Sequence, residues 1–151
     1  MGVCGRPIFF YGGKYNMSKS AIYTVNSSAQ NVAVNGTLNL GSMIRRFGSN
    51  LNLSGSAIQI AGAGYYDIDA SITLAPTAAG NVTITAYLDN VAIPGAAVTG
   101  SVSTANNPVN LSISSLIRQA CQCCEGLNNL TFVLTGTAAA VTNVAVVVEK
   151  I

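Results

Sequence analysis

Gly64-Tyr65-Tyr66-Asp67-Ile68-Asp69-Ala70-Ser71-Ile72-Thr73-Leu74 reads with a period of two. Tyr66, Ile68, Ala70, Ile72 and Leu74 fall on one side; Tyr65, Asp67, Asp69, Ser71 and Thr73 fall on the other. Successive side chains of an extended chain point to opposite faces, so this alternation predicts a strand with one buried and one wet face. The pattern returns after residues 75–81, where Val82, Ile84, Ala86 and Leu88 alternate with Thr83, Thr85, Tyr87 and Asp89.

Working outward from these two segments, shorter alternations occur at Val32/Val34, Leu38/Leu40, Leu51/Leu53, Ile58/Ile60, Leu111/Ile113 and Phe132/Leu134. Turn residues bound them: Asn35-Gly36, Gly41-Ser42, Ser54-Gly55, residues 62–64 and 76–80, Asp89-Asn90, Pro94-Gly95, Asn106-Asn107-Pro108 and Asn128-Asn129. Turn signals every ~8–12 residues are the spacing of an antiparallel sandwich or barrel. Asn35-Gly36 and Asp89-Asn90 suit tight hairpins, because Asn, Asp and Gly tolerate positive φ. Helix is confined to one short turn expected at residues 115–120. The last strand, Val144-Ala145-Val146-Val147-Val148, is apolar on both faces. A sandwich covers one face of a strand, so the other calls for a further cover, most simply a neighbouring subunit.

The chain has 151 residues, half of them apolar and only 8% charged, with seven basic and five acidic side chains. Its mean hydropathy is +0.45. This length suits one domain with a self-sufficient core, and low charge with high hydropathy excludes a disordered chain. A neutral polar exterior does not repel its own copies, which favours association. Nucleic acid is an unsuitable partner, since phosphate recognition draws on clustered Lys and Arg and the sole adjacent basic pair is Arg45-Arg46. No apolar run approaches the ~20 residues of a membrane-spanning helix, and no signal-peptide or myristoylation pattern is expected at the N-terminus.

Residues 1–20 differ from the rest. They carry Arg6, Lys14 and Lys19 together with Phe9, Phe10, Tyr11 and Tyr15, interrupted by glycines. We read them as an arm, and residues 21–151 as the folded domain.

Gly64-Tyr65-Tyr66-Asp67-Ile68 entering a central strand, then residues 82–95 ending Asp89-Asn90-Val91-Ala92-Ile93-Pro94-Gly95, then an apolar last strand closing on Glu149-Lys150, resembles a known family. It is similar to the trimeric jelly roll of tumour necrosis factor and of the complement q globular head, above all to the variants on bacterial exosporium tips and in phage head-fibre or capsid-decoration proteins. The resemblance implies an all-β, two-sheet antiparallel jelly-roll sandwich that forms a homotrimer. Tyr66, Val144, Val146 and Val148 are then expected at the trimer interface. It also implies a non-enzymatic structural protein of a phage virion surface, assembled in the bacterial cytoplasm, with Arg6, Phe9, Phe10 and Tyr11 of the arm anchoring it to the capsid. Host glycans are a further partner expected of the exposed virion knob; the alternative is an adhesin or lectin-like module of a bacterial cell or spore surface, in which Tyr65, Tyr87, Asp67 and Asp69 meet sugar.

Catalytic chemistry has little to work with. The chain has no histidine, which removes the usual general base and the commonest neutral metal ligand. Serine nucleophiles need a base and an orienting group, and the carboxylates form no such constellation. No cofactor is expected. Asp67 and Asp69, two apart on one strand face, offer a thin start for Ca²⁺, which takes 6–8 oxygens. Cys121, Cys123 and Cys124, with Cys4 remote, offer a soft-metal or crosslinking cluster, though C-x-C-C departs from the C-x₂₋₄-C spacing of zinc sites. Seven Asn-x-Ser/Thr triplets, at Asn16, Asn26, Asn35, Asn52, Asn81, Asn110 and Asn129, are by-products of a composition rich in Asn, Ser and Thr.

Overall fold

A computed structural model describes residues 19–119 and 128–151. These residues form eleven strands: β1 (Ala21–Asn26), β2 (Gln30–Val32), β3 (Ser42–Phe47), β4 (Leu51–Ser54), β5 (Ala57–Ile60), β6 (Gly64–Pro76), β7 (Gly80–Leu88), β8 (Val91–Val102), β9 (Val109–Gln119), β10 (Asn128–Thr135) and β11 (Ala139–Lys150). One antiparallel sheet runs β3-β1-β11-β6-β9, with β2 also paired to β11; the other runs β4-β5-β10-β7-β8. The first and last long strands are neighbours, and the chain crosses between sheets at β3–β4, β5–β6, β6–β7, β8–β9, β9–β10 and β10–β11. That winding makes the all-β domain a two-sheet jelly roll.

The alternation of residues 64–74 sets the register at the centre. β6 pairs with β11 from Pro76↔Ala139 to Tyr66↔Lys150 and with β9 from Gly64↔Gln119 to Leu74↔Val109. Partners across an antiparallel pair share a face, so Ile68, Ile72 and Leu74 point inward with Val144, Val146, Val148, Leu111 and Ile113. Val82, Ile84, Ala86, Leu130, Phe132 and Leu134 meet them from the other sheet. Each fully buried aliphatic of this kind contributes roughly 1.5–3 kcal/mol of transfer free energy.

Elsewhere the strands depart from the sequence reading for definable reasons. Val32 lies in β2, but Val34 is exposed in the turn that follows. Leu38 and Leu40 are fully buried outside any strand; the segment is tied to β10 by Leu38 N–H donating to the Phe132 carbonyl at 2.9 Å and Asn35 N–H to that of Leu134 at 2.7 Å. Residues 115–119, expected as a helical turn, continue β9, since Ser115 to Gln119 pair with Ile68 to Gly64. β3 escapes the alternation test because all six of its residues are exposed. β8 hides behind Pro94-Gly95, which falls inside the strand: Ala92↔Tyr87 and Ala97↔Thr85 leave residues 93–96 in a bulge on an outer strand, where a missing N–H is tolerated.

Turn chemistry follows the side chains. Asn35, Asp89 and Asn90 adopt φ of 69°, 52° and 67°, the left-handed values anticipated for tight hairpins. Gly136 turns β10 into β11 at φ 93°, and a Cβ there would lie 2.5 Å from the Asn81 carbonyl oxygen.

One end of the sandwich is sealed by polar groups instead of apolar ones. Ser20 Oγ donates to Asn50 Oδ1 at 2.7 Å, and Asn50 Nδ2 donates to the Ala61 carbonyl at 2.7 Å. The Tyr66 hydroxyl reaches the carbonyls of Ala61 and Gly62 at 2.9 and 2.8 Å. Gln119 Nε2 donates to the Ile60 carbonyl, and Asn128 Nδ2 to Gln119 Oε1. Ser20, grouped with the arm by composition, is buried here and belongs to the folded body. No helix among the described residues is long and apolar enough to cross a membrane.

Candidate assembly face

The outward side of the β3-β1-β11-β6-β9 sheet is where the strand pattern leaves apolar groups without a cover. Along β11, Val144, Val146 and Val148 point inward, while Ala145 and Val147 point outward and are half-buried. Tyr66 and the three inward valines are each 1% exposed or less. The interface expected at Tyr66, Val144, Val146 and Val148 is therefore corrected: these side chains already fill the chain's own core and have no surface to give a neighbour. The apolarity of the second strand face resides in Ala145 and Val147.

Register arranges the outward residues in rows. One row reads Phe47–Ala21–Glu149–Asp67–Leu116 from β3 to β9, and the next reads Arg45–Tyr23–Val147–Asp69–Ser114. Three of the chain's five carboxylates, Asp67, Asp69 and Glu149, thus project from one face. Glu149 stands directly across from Asp67, an arrangement of like charges that costs stability unless a cation meets it. Among the described residues, the hydrogen bond made to this trio comes from a neutral group, Ser114 Oγ to Asp69 Oδ1 at 3.0 Å.

Cations flank the acids at both sides. Arg118 Cζ sits 6.0 Å from the centroid of the Tyr65 ring on β6, within cation–π range. Arg46 donates Nε to the Leu51 carbonyl at 2.7 Å. Arg45 and Arg46 both line a groove of about 530 Å³ with Ala21, Ile22, Tyr23, Ile44, Phe47 and Val147, and Arg45 lies in the outward row with Tyr23, Val147 and Asp69. Phe47 is 65% exposed on the β3 side and Leu116 57% exposed on the β9 side, so apolar side chains mark both lateral margins of the face.

The remaining site expectations fall elsewhere. Asp67 and Asp69 share the strand face predicted for them, but no group of three His, Cys, Asp or Glu side chains suited to a metal forms among the described residues. Tyr65, Asp67 and Asp69 project from one sheet and Tyr87 from the other, so these four cannot converge on one sugar. Cys4, Cys121, Cys123 and Cys124, and the arm residues Arg6, Phe9, Phe10 and Tyr11, lie outside the described residues. Burial raises the Tyr66 hydroxyl above the ordinary tyrosine pKa, because the phenolate would lose its hydration. The sequence reading missed Ile44, Arg45, Phe47 and Leu116; the available signal was two large apolar groups beside the chain's one Arg-Arg pair in a stretch with no alternation.

The strand order, the sheet pairing and the neighbouring terminal strands define a jelly roll of the tumour necrosis factor and complement q head type. Crystalline murine APRIL is similar over 89% of this chain and all of its own, with a TM-score of 0.67 at 9% identity. Vertex protein P5 of PRD1 is similar over 87% of this chain and 95% of its own, with a TM-score of 0.56 at 17% identity. The globular domain of the zebrafish complement 1qA protein covers 85% of this chain and 94% of its own, with a TM-score of 0.58 at 8% identity. No protein-family model matches the chain, and no curated protein matches it significantly.

Proposed function

We propose that the chain is a non-enzymatic structural protein, a homotrimeric knob on a phage virion surface, in which the N-terminal arm ahead of Lys19 holds the capsid and the jelly roll faces solvent. The observation that carries the assembly is the outward face of the β3-β1-β11-β6-β9 sheet. It combines half-buried Ala145, Val147 and Tyr23 with exposed Phe47 and Leu116, and it sets Arg45 at one margin of a face centred on Asp67, Asp69 and Glu149.

A head-to-tail contact closes into a ring when each copy offers one margin to the centre of the next. Arg45 of one copy then meets the acidic trio of its neighbour, which offsets the repulsion between Asp67 and Glu149, while Phe47 covers apolar surface around Val147. The absence of histidine from the sequence fits a role without proton transfer. The likeness to a protein named as a vertex protein supports the virion placement.

Mass spectrometry of particles purified from a host that makes this chain tests the reading. We expect the chain in fixed proportion to the shell protein, and its loss when residues 1–18 are deleted. Particles that lack the chain, or retain it undiminished after the deletion, would contradict the placement.

A further inference from the structure

The opposite sheet carries a second feature that assembly leaves unused. Ser54, Ala57, Gln59, Asp89, Asn90, Asn129 and Thr131 line a depression of about 400 Å³ on its outward face, within the ~300–1,000 Å³ range of small-ligand sites. It forms where β5 stops pairing with β10: the ladder runs from Asn128↔Ile60 to Leu130↔Ile58 and ends there, so Ala57 and Thr131 separate and leave a gap.

One wall is rigid. Asp89 and Asn90 make the tight turn between β7 and β8, and Asp89 is bolted to β10 at two points. Its N–H donates to the Asn129 carbonyl at 2.9 Å, and its Oδ1 accepts the Asn129 N–H at 2.8 Å. Asp89 Oδ2 remains for a ligand. The side chains of Ser54, Gln59, Asn90, Asn129 and Thr131 make no hydrogen bond to another described residue. They line the depression as a set of neutral donors and acceptors.

The chemistry of that set selects its occupant. An anion would want Lys or Arg, and none lines the depression. Calcium would want 6–8 oxygens, and a single half-engaged carboxylate leaves too few. An apolar ligand would strand the amides without partners. A pyranose fits, because each of its vicinal hydroxyls both donates and accepts, as an amide–carboxylate array requires. Tyr87 projects from the same face as the cross-strand partner of Thr131, within reach to present an aromatic surface to the C–H side of such a ring.

We infer that this depression is a subsite for a neutral sugar ring, read by Gln59, Asp89, Asn90 and Asn129 with Tyr87 beside it. It goes beyond the assembly reading and does not depend on it, since the site lies on the sheet turned away from the assembly face and is complete within one chain.

The test is a ¹H–¹⁵N titration of the full chain with methyl glycosides of glucose, galactose, mannose and N-acetylglucosamine. We expect saturable shifts with at least one of them, centred on Gln59, Asn90, Asn129 and Thr131. Gln59→Ala and Asn90→Gly should each weaken binding about tenfold or more while the rest of the spectrum stays in place; glycine is chosen at position 90 because φ is positive there. No saturable shift with any of the four glycosides would overturn the inference. So would shifts centred on another surface, or binding that both variants leave intact. The solution mass of the same samples reports on assembly separately, so that either idea can fail alone.

Discussion

Tyr66 ties the hydrophobic core to the polar end of the sandwich. Its ring lies in the core and its hydroxyl holds two carbonyls at the sealed end of the sandwich. Tyr66→Phe should cost about 1–2 kcal/mol, since the two carbonyls lose a buried donor; urea midpoints of the two proteins measure this. The pKa shift gives the change a pH signature. The folded state holds the phenolic proton more tightly than the unfolded chain, whose tyrosine titrates near 10.0. This contribution is fully present below that value and is lost as pH rises toward the folded pKa. Stability of the native chain should therefore fall above pH ~10 more steeply than that of Tyr66→Phe. Thr24 presents the reverse case. It is fully buried and its hydroxyl lacks a partner, so Thr24→Val should be neutral or stabilising by up to ~1 kcal/mol. A loss of more than that in a urea melt would show that the hydroxyl is satisfied in solution.

Adjacent residues of one strand should fail in different ways at the level of elements. Val148→Ala opens a cavity in the core and should cost roughly 2 kcal/mol of folding stability with assembly otherwise unchanged. Val147→Asp, one residue earlier and pointing outward, should leave the chain folded and dissociate the copies. Circular dichroism melts and light scattering separate the two outcomes, and a Val147→Asp protein that stays assembled would remove β11 from the interface. Arg45→Glu should likewise weaken assembly, and Asp69→Arg in the same chain should restore it, as reciprocal charges must. Strands with one wet face were legible in the sequence because the side-chain period is two and the polar side alternates cleanly, as in β6 and β7. β3 was not, since a strand exposed on both faces has no reason to alternate. β8 was masked by Pro94-Gly95, which signals a turn in an inner strand but a bulge in an outer one. The same blind spot hid Arg45 and Phe47 and sent the interface to the inward valines: a run apolar on both faces announces two covers without saying which residues meet which.

The jelly roll of the whole molecule completes its own core and leaves one sheet face apolar at its margins and acidic at its centre. Its sugar subsite was unreadable from the sequence, because Gln59 of β5, Asp89 of the β7–β8 turn and Asn129 of β10 are brought together only by the fold. Assembly through the first face is the claim on which the proposed role stands, and the solution mass of the full chain under reducing conditions tests it most directly. Light scattering should give about 46 kDa, three chains of 15.4 kDa, unchanged by chelator. A mass of one chain at micromolar concentration would contradict the account.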